Sequence, residues 1–271
     1  RKINTPDDHV LLQHDLDRIN NWCEEWLMTL NKSKCQVMNF TRKRSLSQFP
    51  YTLGTSSLSV CSSYKYLVVH FTSNLSWVTH INSVTADASR PLGYKKRNLK
   101  AAPNHLRKLA YETYVRPKLE YAAAIWSPHQ KYLTTHIEKV QTRAARFITS
   151  SYSYSMSVSI LKHQCSLPLL EVRRTIFTLC LIHKFYYNNR FSSVTFLKPP
   201  NRSSHRTTNS KSFQHLTGST NAFINSVVPR GIRACNDLAE SIVTIAETSL
   251  FRAKLESYFL SNALALKFVS V

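Results

Sequence analysis

Apolar residues near the N-terminus recur at alternating steps of four and three positions, the spacing of one face of an α-helix. They are Leu12, Leu16, Ile19, Cys23, Trp26 and Leu30. The pattern predicts a helix with one buried stripe that ends near Asn31. An apolar run at residues 35–40 predicts a short strand after it, and residues 31–34 are predicted to form a tight exposed loop.

Short apolar segments bounded by polar turns follow this first helix. They cover residues 51–53, 58–61 and 64–71, and each is predicted to be a strand. Together with the helix they predict an α+β unit over residues 1–74.

From Trp77 the apolar spacing returns to that of a helix. Three successive helices are predicted, with these apolar faces: Ile81, Val84, Ala88 and Leu92; Leu106, Leu109, Ala110 and Tyr114; Leu133, Ile137, Val140, Ala144 and Phe147. They predict a helical bundle over residues 75–150. Pro91 lies inside the first helix, where it is expected to remove one hydrogen bond and kink the helix at a cost of about 3 kcal/mol.

The remaining residues, 151–271, predict a third domain that is helical and basic. Helices are predicted at residues 168–188 and 249–260. Residues 199–212 are polar, basic and rich in turn formers, and they predict a mobile loop. The expected fold class is α+β and predominantly helical.

The charge of the chain is strongly unbalanced. Its 271 residues include 36 Lys and Arg against 15 Asp and Glu, a formal net charge of +21. After Glu171 no acidic residue occurs until Asp237. Such a surplus repels itself unless a polyanion neutralises it, so nucleic acid is the expected partner and an anionic membrane surface the second choice.

Cysteine usage and hydropathy indicate the compartment. The six cysteines occur singly, without the dense spacing of a secreted disulfide scaffold. The sequence contains no apolar stretch of about 18 residues, so no membrane span is predicted. We therefore expect an intracellular protein with no membrane partner, in the nucleus or the cytoplasm. The chain begins with Arg1 rather than Met, which suggests a fragment of a longer protein.

An ordered series of short motifs resembles the reverse transcriptases of non-LTR retrotransposons, the LINE-like, jockey-related elements that include the tick transposon type. The series covers nearly the whole chain. Its main members are Trp22 and Trp26 with Leu30-Asn31 and Lys34, Tyr64-Lys65-Tyr66-Leu67, Leu75-Ser76-Trp77, Leu92-Gly93, Arg116-Pro117, Arg143 to Ile148, Leu167-Pro168 with Arg173-Arg174, and Asn236-Asp237-Leu238.

This resemblance implies a polymerase architecture. Residues 1–74 would be part of the palm, a helix plus a small antiparallel sheet, residues 75–150 the thumb, and residues 151–271 a basic C-terminal extension. Lys34 would be the motif D lysine, which assists pyrophosphate departure. Tyr66, Leu67 and Val68 would belong to the primer grip, although Val68 replaces the usual glycine.

The resemblance also implies primer–template RNA and DNA as partners, held in a ribonucleoprotein through phosphate contacts that are independent of sequence. The basic residues expected to make these contacts are Lys95, Lys96, Arg97, Lys100, Arg107, Arg116, Arg143, Arg146, Arg173 and Arg174.

The catalytic carboxylates of such an enzyme are not recognised in this chain. Nucleotidyl transfer uses Mg²⁺ held by aspartates, and the family carries these aspartates upstream of the matching region. Asp7 and Asp8 lack the flanking strands of the catalytic hairpin, and we interpret them as acids in the first turn of a helix. We therefore expect this chain alone to be inactive and to carry no cofactor, whereas the intact parent enzyme requires Mg²⁺ and the upstream polymerase portion.

Three alternatives are kept open. A zinc site could use His163, Cys165, Cys180 and His183, but a short Cys-x-x-Cys pair is more typical of such sites. A non-catalytic nucleic-acid-binding protein, domesticated or degenerate, would have the same charge pattern. A structural protein that binds acidic partners is the third, and its association would be insensitive to salt.

Overall fold

The computed structural model describes residues 1–41, 49–153, 156–188, 196–200 and 209–268, with side chains as far as residue 259. The chain divides into two compact units, Arg1–His80 and Ile81–Val271. The predicted boundary at residue 150 therefore falls inside the second unit. The described residues are mostly helical with small sheets, which is compatible with the predicted class.

The first unit opens with helix α1, Pro6–Glu25. Thr5 and Asp8 form a capping box, in which the Asp8 carboxylate accepts the backbone N–H groups of Asn4 and Thr5, both at 2.8 Å. These hydrogen bonds from Thr5 and Asn4 lower the pKa of Asp8. The interpretation of Asp8 as a helix-start residue is confirmed.

The end of α1 differs from the prediction. The helix stops at Glu25, and Leu27 takes a left-handed φ of 53°. The N–H of Met28 bonds to the carbonyl of Cys23 at 2.7 Å, which is the pattern of a Schellman motif. The predicted end near Asn31 is therefore wrong by one and a half turns.

The predicted buried stripe of α1 is also only partly correct. Cys23 is buried, but Ile19 is half exposed and Trp26 is more than half exposed. Within the first unit α1 packs mainly against one short strand, so there is too little apolar surface to cover the whole stripe.

Three two-stranded sheets follow within the described residues of this unit. Strands β1 (Gln36–Val37) and β4 (Ser59–Val60) pair in parallel, whereas β2 (Thr52–Leu53) pairs antiparallel with β3 (Ser56–Ser57). The parallel pair departs from the expected antiparallel sheet. Strands β5 (Ser63–Tyr66) and β6 (Val69–Thr72) form an antiparallel hairpin, so the single strand predicted at 64–71 is wrong.

The second unit contains the predicted bundle. Helix α2 is Val78–Asn98, and α3 is Asn104–Tyr114. The short helices α4 (Arg116–Glu120) and α5 (Ala123–Trp126) precede α6, Lys131–Thr149. Helix α2 continues through Pro91.

Side-chain hydrogen bonds show how α2, α3 and α6 align. Thr85 on α2 bonds to His136 on α6 at 3.0 Å, and Arg143 on α6 donates to Ser89 at 2.8 Å. Tyr111 on α3 donates to Gln141 at 2.8 Å. Helices α2 and α6 therefore run side by side in the same direction.

The predicted apolar face of α3 is partly wrong. Leu106 and Leu109 are exposed, whereas Arg107 and Tyr111 are buried with Ala110. The helix turns its most polar long side chain inward because that side chain finds carbonyl acceptors there, as described below.

The rest of the second unit is built around α8, Leu170–Asn188, which follows α7, Val158–Gln164. Short helix α9 (Asn221–Ile224), α10 (Val227–Asn236), short helix α11 (Glu240–Val243) and the long α12 (Thr248–Phe268) follow. Their core contains Ile176, Leu179, Ile182, Ile232, Phe251 and Leu255. Gly231 allows α10 to approach α8, since a Cβ there would collide with Ile182.

The loop predicted at 199–212 makes hydrogen bonds to the rest of the second unit at its C-terminal end. Residues 201–208 lie outside the described part of the chain. Asn209 donates to the carbonyls of Cys235 at 3.0 Å and Leu238 at 2.9 Å, and Ser212 is buried. The Asn209 amide side chain thus joins residues 209–212 to the end of α10, and the mobility of the loop stays a prediction.

Candidate nucleic-acid interface

Cations and tyrosines lie together at the C-terminal end of α2. The last turn of α2 carries Lys95, Lys96 and Arg97, and Lys100 follows it. Positive charge in this position interacts favourably with the helix dipole. The Nζ of Lys95 lies 4.0 Å from the ring centroid of Tyr114, and the Nζ of Lys96 lies 5.3 Å from that of Tyr152.

We call this surface the tyrosine–lysine patch. It comprises Tyr94, Lys95, Lys96, Arg97, Lys100, Tyr114 and Tyr152. The three tyrosines are 57%, 53% and 56% exposed, in the order of the chain. Sequence reasoning selected the four cations but missed the tyrosines. The run Tyr94-Lys95-Lys96-Arg97 was the available signal, whereas Tyr114 and Tyr152 are brought there by the fold.

The patch carries unneutralised charge. The sequence contains no acidic residue between Asp87 and Glu112. Among the residues that the structure describes, no carboxylate forms an ion pair with any of the four cations of the patch. These four charges are therefore available to an anionic partner.

Arg107 holds the patch together from within. It is 8% exposed, and its guanidinium donates to the carbonyls of Leu99 and Phe147, both at 3.1 Å. It also bonds to the Lys100 carbonyl and the Ser150 hydroxyl. One side chain thus joins the end of α2, helix α3 and the end of α6, and we assign Arg107 to positioning rather than to the surface.

Two further predicted cations lie on α6. Arg143 is exposed although it donates to Ser89, and Arg146 is half-buried in the last turn. Because α6 runs beside α2, Arg143 extends the positive surface along the bundle.

Arg116 and Arg173 are occupied by carboxylates. Arg116 pairs with Glu112 at 2.7 Å, and Arg173 bonds to Glu120 through its Nη2 at 3.0 Å. Both arginines are half-buried. Their charges are largely neutralised within the chain, so we leave them out of the candidate interface.

Arg174 is buried in the interior. It is 1% exposed, and its guanidinium nitrogens have no hydrogen-bond partner among the described residues. Burial lowers the pKa of Arg174, and the charges of Glu138, Glu171 and Glu120 oppose that shift. Arg174 therefore cannot contact a phosphate backbone in this conformation.

A second arginine, Arg230 on α10, lies close enough to Arg174 for the two positive charges to repel each other. It donates to the carbonyls of Ala124 at 2.8 Å and Ser127 at 2.6 Å, near the end of α5. Burial, together with the charges of Arg174 and Arg233, lowers the pKa of Arg230 to about 10. Arg230 thus stabilises the end of a helix rather than a ligand.

The site residues predicted in the first unit are exposed. The side chain of Lys34 lies in water, and its carbonyl accepts the Tyr64 hydroxyl at 2.7 Å. Tyr66 ends strand β5, Leu67 and Val68 form the turn of the β5–β6 hairpin, and all three are more than half exposed. Leu67 and Val68 have φ values of 45° and 71°, as a two-residue type I′ turn requires.

The residues considered for zinc serve other contacts. Cys165 is buried, and the Nε2 of His183 donates to the Ile245 carbonyl at 2.8 Å. The His183 ring stacks on Phe251 with centroids 4.2 Å apart. Over the described residues, no group of three or more His, Cys, Asp or Glu side chains is arranged to hold a metal.

Tyr186 and Tyr187, near the end of α8, pack inward. The ring centroids of Tyr186 and Phe213 lie 5.5 Å apart, and those of Tyr187 and His183 lie 4.6 Å apart.

No helix in the described part of the chain is long and apolar enough to cross a membrane.

The chain is similar to the RNA-directed DNA polymerase from the mobile element jockey of Drosophila funebris. The two are 30% identical over 142 residues, which is 51% of this chain and 15% of that protein. The chain thus spans a small part of the relative that it matches. No family profile and no solved structure matches it. The similarity supports an origin in a reverse transcriptase of the non-LTR retrotransposon class.

Proposed function

We propose that the chain is part of a retrotransposon RNA-directed DNA polymerase and that it binds nucleic acid non-specifically through the tyrosine–lysine patch. The main support is the group of four cations at the end of α2 that form no ion pair with a carboxylate of the described residues, set on a chain with a net charge of +21. A phosphate backbone is the polyanion that such a surface fits.

In this proposal the first unit corresponds to part of a polymerase palm. Lys34 is the motif D lysine, and its exposed side chain could reach a leaving pyrophosphate. Tyr66, Leu67 and Val68 correspond to the primer grip, where an exposed hairpin turn is suited to touching a primer end. The bundle up to residue 150 corresponds to the thumb, and the helices after it to a basic extension.

The parent enzyme would supply what this chain lacks. We expect the Mg²⁺-binding aspartates to lie in another part of the polymerase, which is then a partner of this chain. The primer–template hybrid of RNA and DNA is the expected ligand of the assembly.

The proposal is tested by binding the purified chain to a 20-base-pair primer–template hybrid across a salt series. We expect a Kd on the order of 1 to 100 μM near physiological salt, indifferent to sequence and weakening steeply with salt. Replacing Lys95, Lys96, Arg97 and Lys100 by Ala should reduce the slope of log K against log salt by up to about 3.6, since each lost phosphate contact removes about 0.9.

A matched control removes the same charge elsewhere. Lys118, Lys131, Lys184 and Lys254 are all exposed and lie outside the patch. Their joint replacement by Ala should change the slope much less. Equal slopes for the two variants would contradict the assignment to the patch. Binding that is insensitive to salt would favour the structural protein that binds acidic partners.

A further inference from the structure

The tyrosines of the patch are its least expected feature. Tyr94, Tyr114 and Tyr152 each keep more than half of their surface in water. Phosphate recognition alone needs cations and no aromatic rings. Exposed rings set among cations are instead suited to a ligand that presents both flat apolar faces and phosphates.

The lysines link the rings of the patch. Lys95 lies 4.0 Å from the centroid of Tyr114 and 5.8 Å from that of Tyr94, so one ammonium group is close to two rings. The Nζ of Lys96 lies 5.3 Å from the ring centroid of Tyr152. A base stacked on any of these rings would bring its own phosphate near a lysine.

The state of the nucleic acid decides whether this arrangement is used. In a duplex the base faces are stacked on each other, and only the backbone and groove edges are accessible. In a single strand the faces are open, and base–aromatic stacking adds to the phosphate contacts without requiring a particular sequence.

We infer that the tyrosine–lysine patch binds single-stranded nucleic acid in preference to duplex, with bases stacking on Tyr94, Tyr114 and Tyr152 and phosphates held by the lysines between them. This inference rests on the proposed function, since it names the form of nucleic acid that the same surface takes. It concerns unpaired bases, whether of RNA or of DNA.

The test uses the full chain and three fluorescent ligands of equal length: a 12-nucleotide thymidine strand, the same strand without bases, and a 12-base-pair duplex. The thymidine strand should bind at least about tenfold more tightly than the strand without bases. Replacing Tyr94 and Tyr114 by Leu should remove most of this advantage, since only the Tyr152 ring then remains, and should change duplex binding by less than about twofold.

Two further variants make the result specific to stacking. Tyr94→Phe with Tyr114→Phe keeps the rings and should retain wild-type affinity. Tyr121→Leu with Tyr132→Leu removes two tyrosines that are 53% and 63% exposed outside the patch, and it should have no effect. Circular dichroism melting of each variant checks that the fold is retained.

The outcomes separate the two claims. The inference would be overturned if the strands with and without bases bound equally well, or if the Leu variant kept its single-strand affinity. Salt-dependent binding to the duplex would in that case still support the proposed function. Absence of salt-dependent binding to all three ligands would overturn the proposed function itself.

Discussion

At the scale of single residues, four branched apolar side chains among the described residues occupy left-handed backbone positions: Leu27, Leu67, Val68 and Leu75. Val68 has a φ of 71° in the β5–β6 turn, and Leu27 has a φ of 53° after α1. A β-branched residue is a strong outlier in this region. The turn thus gives a physical reason to expect glycine rather than valine at position 68: glycine takes this conformation without steric cost.

We predict that Val68→Gly stabilises the hairpin by about 1 kcal/mol, because the relief of strain exceeds the entropy that glycine adds to the unfolded chain. Slower amide hydrogen exchange within β5 and β6 would report the effect. Val60→Gly is the control, since Val60 is an exposed strand residue without a positive φ. It should accelerate exchange in β4, and faster exchange in the Val68 variant would contradict the prediction.

At the scale of elements, Arg107 connects three helices through their carbonyl ends. Its donors satisfy groups at the end of α2 and at the end of α6 that a helix leaves unpaired. The planar guanidinium can reach several acceptors at once, which an ammonium group cannot.

We predict that Arg107→Lys lowers the free energy of unfolding by about 2 kcal/mol, since several charge-assisted hydrogen bonds are lost. Urea unfolding measures this, with the exposed Arg97→Lys as a control that should change stability by less than about 0.5 kcal/mol. Because Arg107 is internal and positions the patch without facing the ligand, nucleic-acid affinity should fall only where stability falls with it. A loss of affinity without a loss of stability would return Arg107 to the interface.

A second prediction at this scale concerns how α8 meets α12. His183 is buried against Phe251, and its Nδ1 has no hydrogen-bond partner among the described residues. Burial lowers the pKa of His183 below its ordinary value of 6.5, although the bond to Ile245 opposes the shift. The neutral ring is therefore the form that packs. His183 and Phe251 line a cavity that Lys211 also lines.

The sign follows from linkage. Below the ordinary pKa of 6.5 the unfolded chain takes up a proton on His183 that the folded chain resists, so stability is complete above that pH and is lost as the pH falls. His183→Gln should therefore flatten the loss of stability between about pH 7 and pH 5, measured by urea unfolding. Part of the slope should remain, because burial and His70 lower the pKa of His80 to about 4. The exposed His129→Gln should leave the slope unchanged, and an unchanged slope in the His183 variant would refute the prediction.

At the scale of the whole molecule, the chain combines a strong positive charge with a structure that keeps only part of that charge at the surface. Arg107 and Arg174 are internal, whereas the four cations of the patch have no carboxylate partner within the described residues. The net charge therefore overstates the charge available to a ligand, and the patch is the part expected to govern binding.

We predict that the chain alone does not extend a primer. With an RNA template, a DNA primer, the four deoxynucleotides and Mg²⁺, no extended product should appear. Nucleotidyl transfer needs aspartates that hold the metal ions, and we recognise no such aspartates in this sequence. Primer extension monitored by denaturing gel electrophoresis tests this, with an active reverse transcriptase as the positive control. Extension that tracks with the purified chain would contradict the assignment of catalysis to another part of the polymerase.

The sequence by itself determined where several helices form and the overall charge. The spacing of Ile137, Val140 and Ala144 predicted helix α6, and the acids after Thr5 predicted the start of α1, because helix periodicity and capping act over a few residues. The basic composition pointed to a polyanionic partner because net charge depends on the composition alone and not on tertiary contacts.

Only the tertiary structure decided which cations and aromatics face water. Arg107 and Lys100 look alike in the sequence, but Arg107 is drawn inward by carbonyls from Leu99 and from Phe147, 40 residues away along the chain. Tyr114 and Tyr152 likewise come from separate elements to meet the lysines of α2. Burial and hydrogen bonding depend on which groups the fold brings together over long separations, and local spacing does not encode those meetings.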